Sequence, residues 1–421
     1  METRSYFTRK AKLKMRLGTV IAESRTQLKG FFPAFVIVVN SFVWYSVGGS
    51  AVFTNIVGQL QSVGMSSLAL FGFFYCGIAV SALAGAMLAR GNRRPYLLAW
   101  MLVGIIASLM LIFAESASYP IAIAISFFFG VSIGFGLPSC LAYFADATNI
   151  ENRGLLGGIS YGVSGLGILA LFYVLTMVDS VTAILILAIW RGIGFVVSFI
   201  TIRNNEMEQE QKKPSYSSIL NLRIIRLYLA AWIMFCLVNW TEAPLVQRVF
   251  AGSYEMIVSV EFALSGIFAF AAGPIADHFG RKRVVIAGFV MLGVEYAALS
   301  LFSGITTSAY LFAFLDGTSW GMLAVVFFMV LWGDIGENRR KEKYYVIGGL
   351  PYLLAGFLSV LVRPYVGTIV LSTAFSLASF FLFLAVVPLM YAPETLPERK
   401  LKELELKSYL EKAKEVRAKY S

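Results

Sequence analysis

Twelve stretches of about 20 mostly apolar residues run through this chain, and a helix of that length crosses the ~30 Å hydrocarbon core of a bilayer. They lie at about 30–50, 66–89, 95–114, 119–144, 154–177, 181–202, 226–247, 254–276, 284–303, 308–332, 345–364 and 367–391. The first, with Gly48 and Gly49 and no charge until Arg90, has room to run on to about Leu60. Inside a bilayer, every backbone polar group must be satisfied by helices or by a closed barrel. None of the twelve alternates apolar and polar residues as a barrel strand would. The expected fold class is therefore an all-α membrane protein with twelve transmembrane helices. Composition agrees: 58% of the 421 residues are hydrophobic and 14% charged, against roughly 25% charged in a soluble domain.

The basic residues set the orientation. Of the 35 Lys and Arg, all but Arg191, Arg248 and Arg363 precede the first span, follow the last, or fall in the connections after the second, fourth, sixth, eighth and tenth. Basic loops stay on the cytoplasmic side, so both termini are expected there and an even number of spans is required. Residues 1–29 form a basic segment with no apolar core and no cleavage site, so the first span is expected to be retained. The net charge of +11 follows from this topology and from attraction to anionic membrane lipids. No nucleic-acid partner is expected. The expected setting is multi-pass in the cell membrane, as a monomer.

Cys76, Cys140 and Cys236 each lie in an apolar stretch and read as small buried hydrophobes. A single histidine, His278, leaves no histidine-rich metal site. No nucleotide-binding loop, metal cluster or catalytic constellation is visible, so no cofactor, metal or enzymatic activity is expected.

The longest polar interruption, 203–225, divides the spans into six and six. The boundaries read as a basic segment 1–29, halves 30–202 and 226–391 joined by a cytoplasmic linker 203–225, and a tail 392–421. The halves echo one another. GAMLARGNRRPYLL at 85–98 corresponds to GPIADHFGRKRVVI at 273–286, and FFFGVSIGFG at 127–136 to AFLDGTSWGM at 313–322. ENR at 151–153 recurs at 337–339. Nearly constant offsets imply a duplication, the architecture of transporters whose halves rock about a midplane site.

GPIADHFGRKR resembles the loop motif of the major facilitator superfamily, G-x-x-x-D-x-x-G-R-K, with Gly273, Asp277, Gly280, Arg281 and Lys282 in place. The first-half copy keeps Gly85 and Arg93, but Ala89 replaces the acid and Asn92 the second glycine. Asp146 with Arg153, and Asp334 with Arg340, are similar to the acid-then-arginine ends of the fourth and tenth helices in sugar-porter-like members, and PETLPER at 393–399 to the sequence after their twelfth. The Pro-Glu-Ser motif of that branch is missing after the sixth span, and the fifth lacks the Gly-Pro of drug/proton antiporters. The resemblance implies the major facilitator fold, two six-helix halves, and a cytoplasmic gate made by Asp277, Arg281, Asp146, Arg153, Asp334 and Arg340. Loss of the acid at Ala89 puts any first-half latch in question.

Charges inside a membrane are costly and face a cavity or a partner. In the family fold the first, fourth, seventh and tenth helices line the cavity. That implies cavity positions for Asp316, as proton carrier or cation anchor, and for Glu242 with Asn239 and Trp240. Trp320, and Asn40 with Trp44, offer flat rings and an amide suited to sugars or cations. Arg191 and Glu295 fall on helices that the family places at the periphery, so a structural role beside a polar partner is expected. Glu261 would lie near the interface between halves, where a structural role or outer-gate pairing fits. The glycines of the fifth span suit close helix packing, and 401–420 reads as an amphipathic surface helix. The expectation is a secondary active transporter of a small organic solute, sugar-like or cationic, with proton-coupled symport as a hypothesis. The alternatives are efflux of amphipathic cations, or a non-transporting sensor or lipid-handling protein.

Overall fold

The computed structural model describes residues 30–89, 93–202, 214–303, 305, 307–398 and scattered positions of the tail. The basic segment 1–29 and residues 203–213 of the linker lie outside the described residues. Twelve helices are long and apolar enough to cross a membrane: α1 (Gly30–Ser62), α2 (Ser67–Leu88), α3 (Arg93–Phe113), α4 (Tyr119–Asp146), α5 (Arg153–Leu175), α6 (Ser180–Thr201), α7 (Arg223–Val249), α8 (Tyr254–Phe279), α9 (Arg281–Phe302), α10 (Thr307–Ile335), α11 (Glu342–Tyr365) and α12 (Leu371–Tyr391). No strand occurs among the described residues. The first helix takes the longer course through Gly48 and Gly49, by way of a widened π turn at Gly48–Phe53. The twelfth starts at Leu371 rather than 367, because Arg363–Tyr365 tightens into a 3₁₀ turn and α11 ends there.

Local chemistry sets the ends. Asp179 opens α6 by accepting the N–H groups of Val181 and Thr182 at 3.0 and 3.1 Å, a helix N-cap. The Thr182 hydroxyl and these N–H groups hold its carboxyl below the usual range. Gly280 closes α8 at φ +100°, a left-handed conformation that side chains disfavour.

Glycines set the helix spacing. In the first half Gly130 and Gly134 of α4 meet α2, and a β-carbon on either would lie 2.0–2.2 Å from the carbonyl oxygens of Phe74 and Ile78. Their repeat partners, Gly317 and Gly321 of α10, meet α8 in the same way at Glu261 and Ser265. The seam between halves is glycine against glycine. On α5, Gly154, Gly158 and Gly165 touch Gly273 and Gly266 of α8, and a β-carbon on Gly158 would lie 2.5 Å from the Ala269 carbonyl.

The repeat also shares a flaw. The α4 helix breaks at Phe135–Gly136, and α10 widens into a π turn at Val325–Val330, close to the corresponding place in the repeat. Such breaks free carbonyls that must find donors. Trp100 donates to the Ser132 carbonyl at 2.6 Å, Tyr96 to that of Phe135, and Tyr345 to that of Met329 at 2.8 Å.

Candidate functional site

At the end of the molecule that carries the loop motifs, the halves are joined by charge. Asp334, at the foot of α10, accepts from Arg153 of the opposite half and from Arg281 Nε at 3.2 Å. Both arginines are fully buried. Arg153 also donates to Glu337 at 2.9 Å and to the Ala145 carbonyl at 2.8 Å, and Arg281 to the Ile150 carbonyl at 2.6 Å. Asp277 pairs with Arg281 and accepts the N–H groups of Gly154 and Leu155, at 3.0 and 2.6 Å. These belong to the first turn of α5, whose dipole favours an anion there.

A second cluster mirrors the first. Arg93 pairs with Asp146, which also pairs with Lys341 of the other half at 2.8 Å. Arg93 and Arg281, Asp146 and Asp334, and Arg153 and Lys341 are each 188 residues apart. They are the same cluster made twice. Besides the exchange of Arg153 for Lys341, the motif acid differs. Where Asp277 serves Arg281, Ala89 has nothing to offer Arg93, and Glu342 from the other half supplies the carboxylate at 2.6 and 2.9 Å. The latch left in question by Ala89 is thus filled from across the interface. Glu337 links the clusters, reaching Arg153 and Lys341.

Two expected gate residues act elsewhere. Arg340 donates to the Ala89 carbonyl at 3.2 Å rather than pairing with Asp334. Lys282 donates to the Met390 carbonyl at 2.7 Å, and its backbone N–H with that of Arg281 is capped by Glu394 of PETLPER. That contact keeps α12 on α9 within one half, behind Gly280. Glu337, Lys341 and Glu342 sit in the run ENRRKEK, which reads as solvated loop when its partners are not known.

Toward the middle, aromatic rings from both halves meet. Trp232 stacks on Phe327 with ring centres 4.3 Å apart, Tyr352 lies 4.9 Å from Phe328 and 5.6 Å from Trp320, and Phe328 reaches Phe42 of the first half at 5.9 Å. Trp240 joins through Tyr352 at 5.7 Å. Asn239, Trp240 and Thr241 are half-buried there. Glu242 is buried, and its Oε2 and Trp240 Nε1 have no hydrogen-bond partner. Trp232 was not singled out in the sequence, yet it stands 188 residues after Trp44.

Asn40 and Trp44 do not line a cavity. Both are buried inside the first half, where Trp44 donates to Ser108 at 2.9 Å and Asn40 to the Trp190 carbonyl at 2.7 Å. They hold Arg191, which donates to Asn40 and Ser41 at 3.0 and 2.8 Å. Its guanidinium lies 4.5 and 4.3 Å from the ring centres of Trp44 and Trp100. Ring faces thus attract a charge that no acid meets among the described residues. Asp316 is buried beside the point where α10, at Gly317, packs on the α8 backbone at Glu261. Glu295 is buried as expected, but without the expected partner: neither carboxyl oxygen has one. No group of three acidic, cysteine or histidine side chains among the described residues could hold a metal ion.

Twelve membrane helices in a duplicated six-plus-six arrangement, clasped by charge at one end, define a multi-pass membrane transporter. The sequence pattern of the Major Facilitator Superfamily matches residues 34–323, and the chain belongs to that superfamily. No curated protein matches it in sequence. Among solved structures it resembles a proton:xylose symporter, XylE, solved with 6-bromo-6-deoxy-D-glucose, at 15% identity and a TM-score of 0.68 over 89% of this chain and 98% of that one. It resembles the E. coli fucose:proton symporter FucP at 11% identity and 0.67 over 87% and 99%. A third is the human organic anion transporter MFSD10 (TETRAN), at 13% and 0.66 over 86% and 99%. At these identities the likeness is one of fold.

Proposed function

We propose that this protein is a secondary active transporter that moves a small organic solute by alternating access, with protons as the coupling ion. The observation that supports this most is that the ion pairs between halves gather at one end, while aromatic and amide side chains are left half-buried on the other side of the centre. Clasp and cleft are the two parts that alternating access needs. In this reading 30–202 and 226–391 are the moving bodies, 203–225 is their linker, and the tail helix rests on the membrane surface. Asp146, Arg153, Asp277, Arg281 and Asp334 hold the charged end shut while the cleft faces the other way. Gly273 and Gly280 permit the close approach, and Arg340 and Lys282 tie the loops in place.

The solute meets Asn239, Trp240, Trp320 and Tyr352, with Glu242 beside them. Flat rings bordered by an amide and an acid suit a sugar-like or cationic solute better than a bare anion. Two of the similar solved proteins are described as proton-coupled sugar symporters, which agrees with the first of these. The unpaired acid Glu242 also favours a second reading, export of amphipathic cations.

A thermal-shift screen of the purified protein against sugars, amines, lipophilic cations and organic acids decides among them. A true ligand at about 100 times its Kd stabilises by about 2.7 kcal/mol, and Trp240→Ala removes that shift. A screen in which only lipids stabilise the protein would overturn the solute reading in favour of a lipid-handling role.

A further inference from the structure

On the outside of the bundle, toward the charged end, α7 and α11 leave an apolar groove of about 590 Å³. It faces away from the aromatic cleft. Tyr352 turns to the rings at the centre, while Leu350 and Leu354, two residues to either side, lie on the opposite face of α11 and line the groove. Ile233 and Leu237 of α7 line it too, with Leu83 of α2 from the other half, and all three are exposed. A short helix of the linker, Tyr216–Leu220, stands at the charged end and lends both its terminal side chains to the lining. Tyr216 donates to the Leu83 carbonyl at 3.4 Å. Lys343 of α11 donates to the Pro214 carbonyl at 3.0 Å, with its ammonium 5.0 Å from the Tyr216 ring centre.

Each long wall carries a cation at its head. Lys343, Ile347, Leu350 and Leu354 follow one face of α11, and Arg226, Leu229, Ile233 and Leu237 one face of α7. Beyond these two, no charged side chain lines the groove. Neither cation forms an ion pair among the described residues. A lysine ammonium has three donors, and the Pro214 carbonyl takes one of them. The lining along α11 runs from Val346 to Leu358, about 18 Å at 1.5 Å per residue. That is close to one leaflet, half of the ~30 Å hydrocarbon core. A helix ~10 Å across, sunk over that length, would need about 1,400 Å³, more than twice the room there is.

We propose that this groove takes an acyl chain of a phospholipid from the leaflet at the charged end, with its anionic headgroup held by Arg226 and Lys343. The site goes beyond the transport reading and stands without it, because it lies outside the cleft. Its position gives the lipid a hold on both halves. Lys343 follows Lys341 and Glu342, which pair across the halves in the clasp, and Tyr216 ties the linker to α2. A lipid seated there fastens the linker to the clasped state.

The test is native mass spectrometry of the full chain, purified in detergent and offered phosphatidylglycerol or phosphatidylcholine with identical chains. Wild type is expected to retain the anionic lipid in preference, and Arg226→Gln and Lys343→Gln each to cut that preference about fivefold. Equal retention of both lipids by wild type, or a preference that survives in the double variant, would overturn the site. Ile233→Trp keeps both cations and fills the groove, so it is expected to lose the lipid. Undiminished retention there would place the headgroup on the surface with no chain in the groove, and the proposal would fail. A second measurement uses wild type alone. Hydrogen exchange in residues 216–220 should be slower in nanodiscs containing phosphatidylglycerol than in phosphatidylcholine alone, and equal rates would remove the hold on the linker. Lipid binding lost in Trp240→Ala but kept in the double variant would put the lipid in the cleft, defeating this site and the solute reading together. Loss in the double variant alone supports the site and leaves the solute reading untouched.

Discussion

The two ends of this molecule are held by different forces. At the charged end, Arg93–Glu342, Arg153–Asp334, Lys341–Asp146 and the capping of α5 by Asp277 all cross between halves. At the other end, the polar contacts stay at home. Asn55 and Gln59 reach Ser180 within the first half, and Arg248 reaches the Val366 and Ile369 carbonyls within the second. A buried ion pair gives up much of its attraction to desolvation, but breaking one partner is expensive. It is therefore good at holding a defined closed state and poor at holding a half-open one. Among the described residues the far end shows no such all-or-none contact, which in the transport reading lets it open by degrees.

Removing Asp334 should erase this difference most completely, since it takes a buried carboxylate from two fully buried arginines at once. Asp334→Ala is expected to cost about 3–5 kcal/mol and to open the charged end. Spin labels at Glu151 and His278, with the three native cysteines replaced by serine, would read it as longer distances across the halves. Unchanged distances would mean that packing closes that end, not charge. Glu342→Gln is smaller because Arg93 keeps Asp146, and about 1–3 kcal/mol is expected. It also tests the doubled cluster: Ala89→Asp restores the motif acid four residues before Arg93 and should recover part of the lost melting temperature. If it recovers none, the two copies are not equivalent. Lys400→Ala comes last. Its pair with Glu151 crosses the halves at 3.0 Å, but the Glu151 side chain is 58% exposed. Exposed pairs contribute about 0–1 kcal/mol, so neither melting nor distances should move measurably.

The twelve spans were legible in the sequence because membrane helices are set by length and apolarity, which are local. The duplication was legible for a similar reason: Gly130, Gly134, Gly317 and Gly321 recur because the same close approach is made twice. Partners across the interface were harder to read. Asp146 with Arg153 and Asp334 with Arg340 look like neighbours along the chain, yet Arg153 crosses to Asp334 of the other half and Arg340 goes to a carbonyl. Ala89 looked like a gap because its substitute, Glu342, lies some 250 residues away. Asn40 and Trp44 were expected to face a cavity, yet both turn inward to Arg191 and its neighbours. Each residue turns a helix by about 100°, so knowing the helix does not give the direction of a side chain. Arg191 hid its partners for another reason, since the partners are ring faces and carry no charge to look for.

The glycine seam between α5 and α8 has a mechanical consequence. Where two helices meet through side chains, turning one against the other means lifting every side chain out of its groove and finding it a new one. Between Gly154, Gly158 and Gly165 on one side and Gly266 and Gly273 on the other, there is little to lift. The seam works as a bearing: it keeps the halves close and offers small resistance to their rolling. In the proposed cycle, friction would then be concentrated at the rim, in the clasp of arginines and acids.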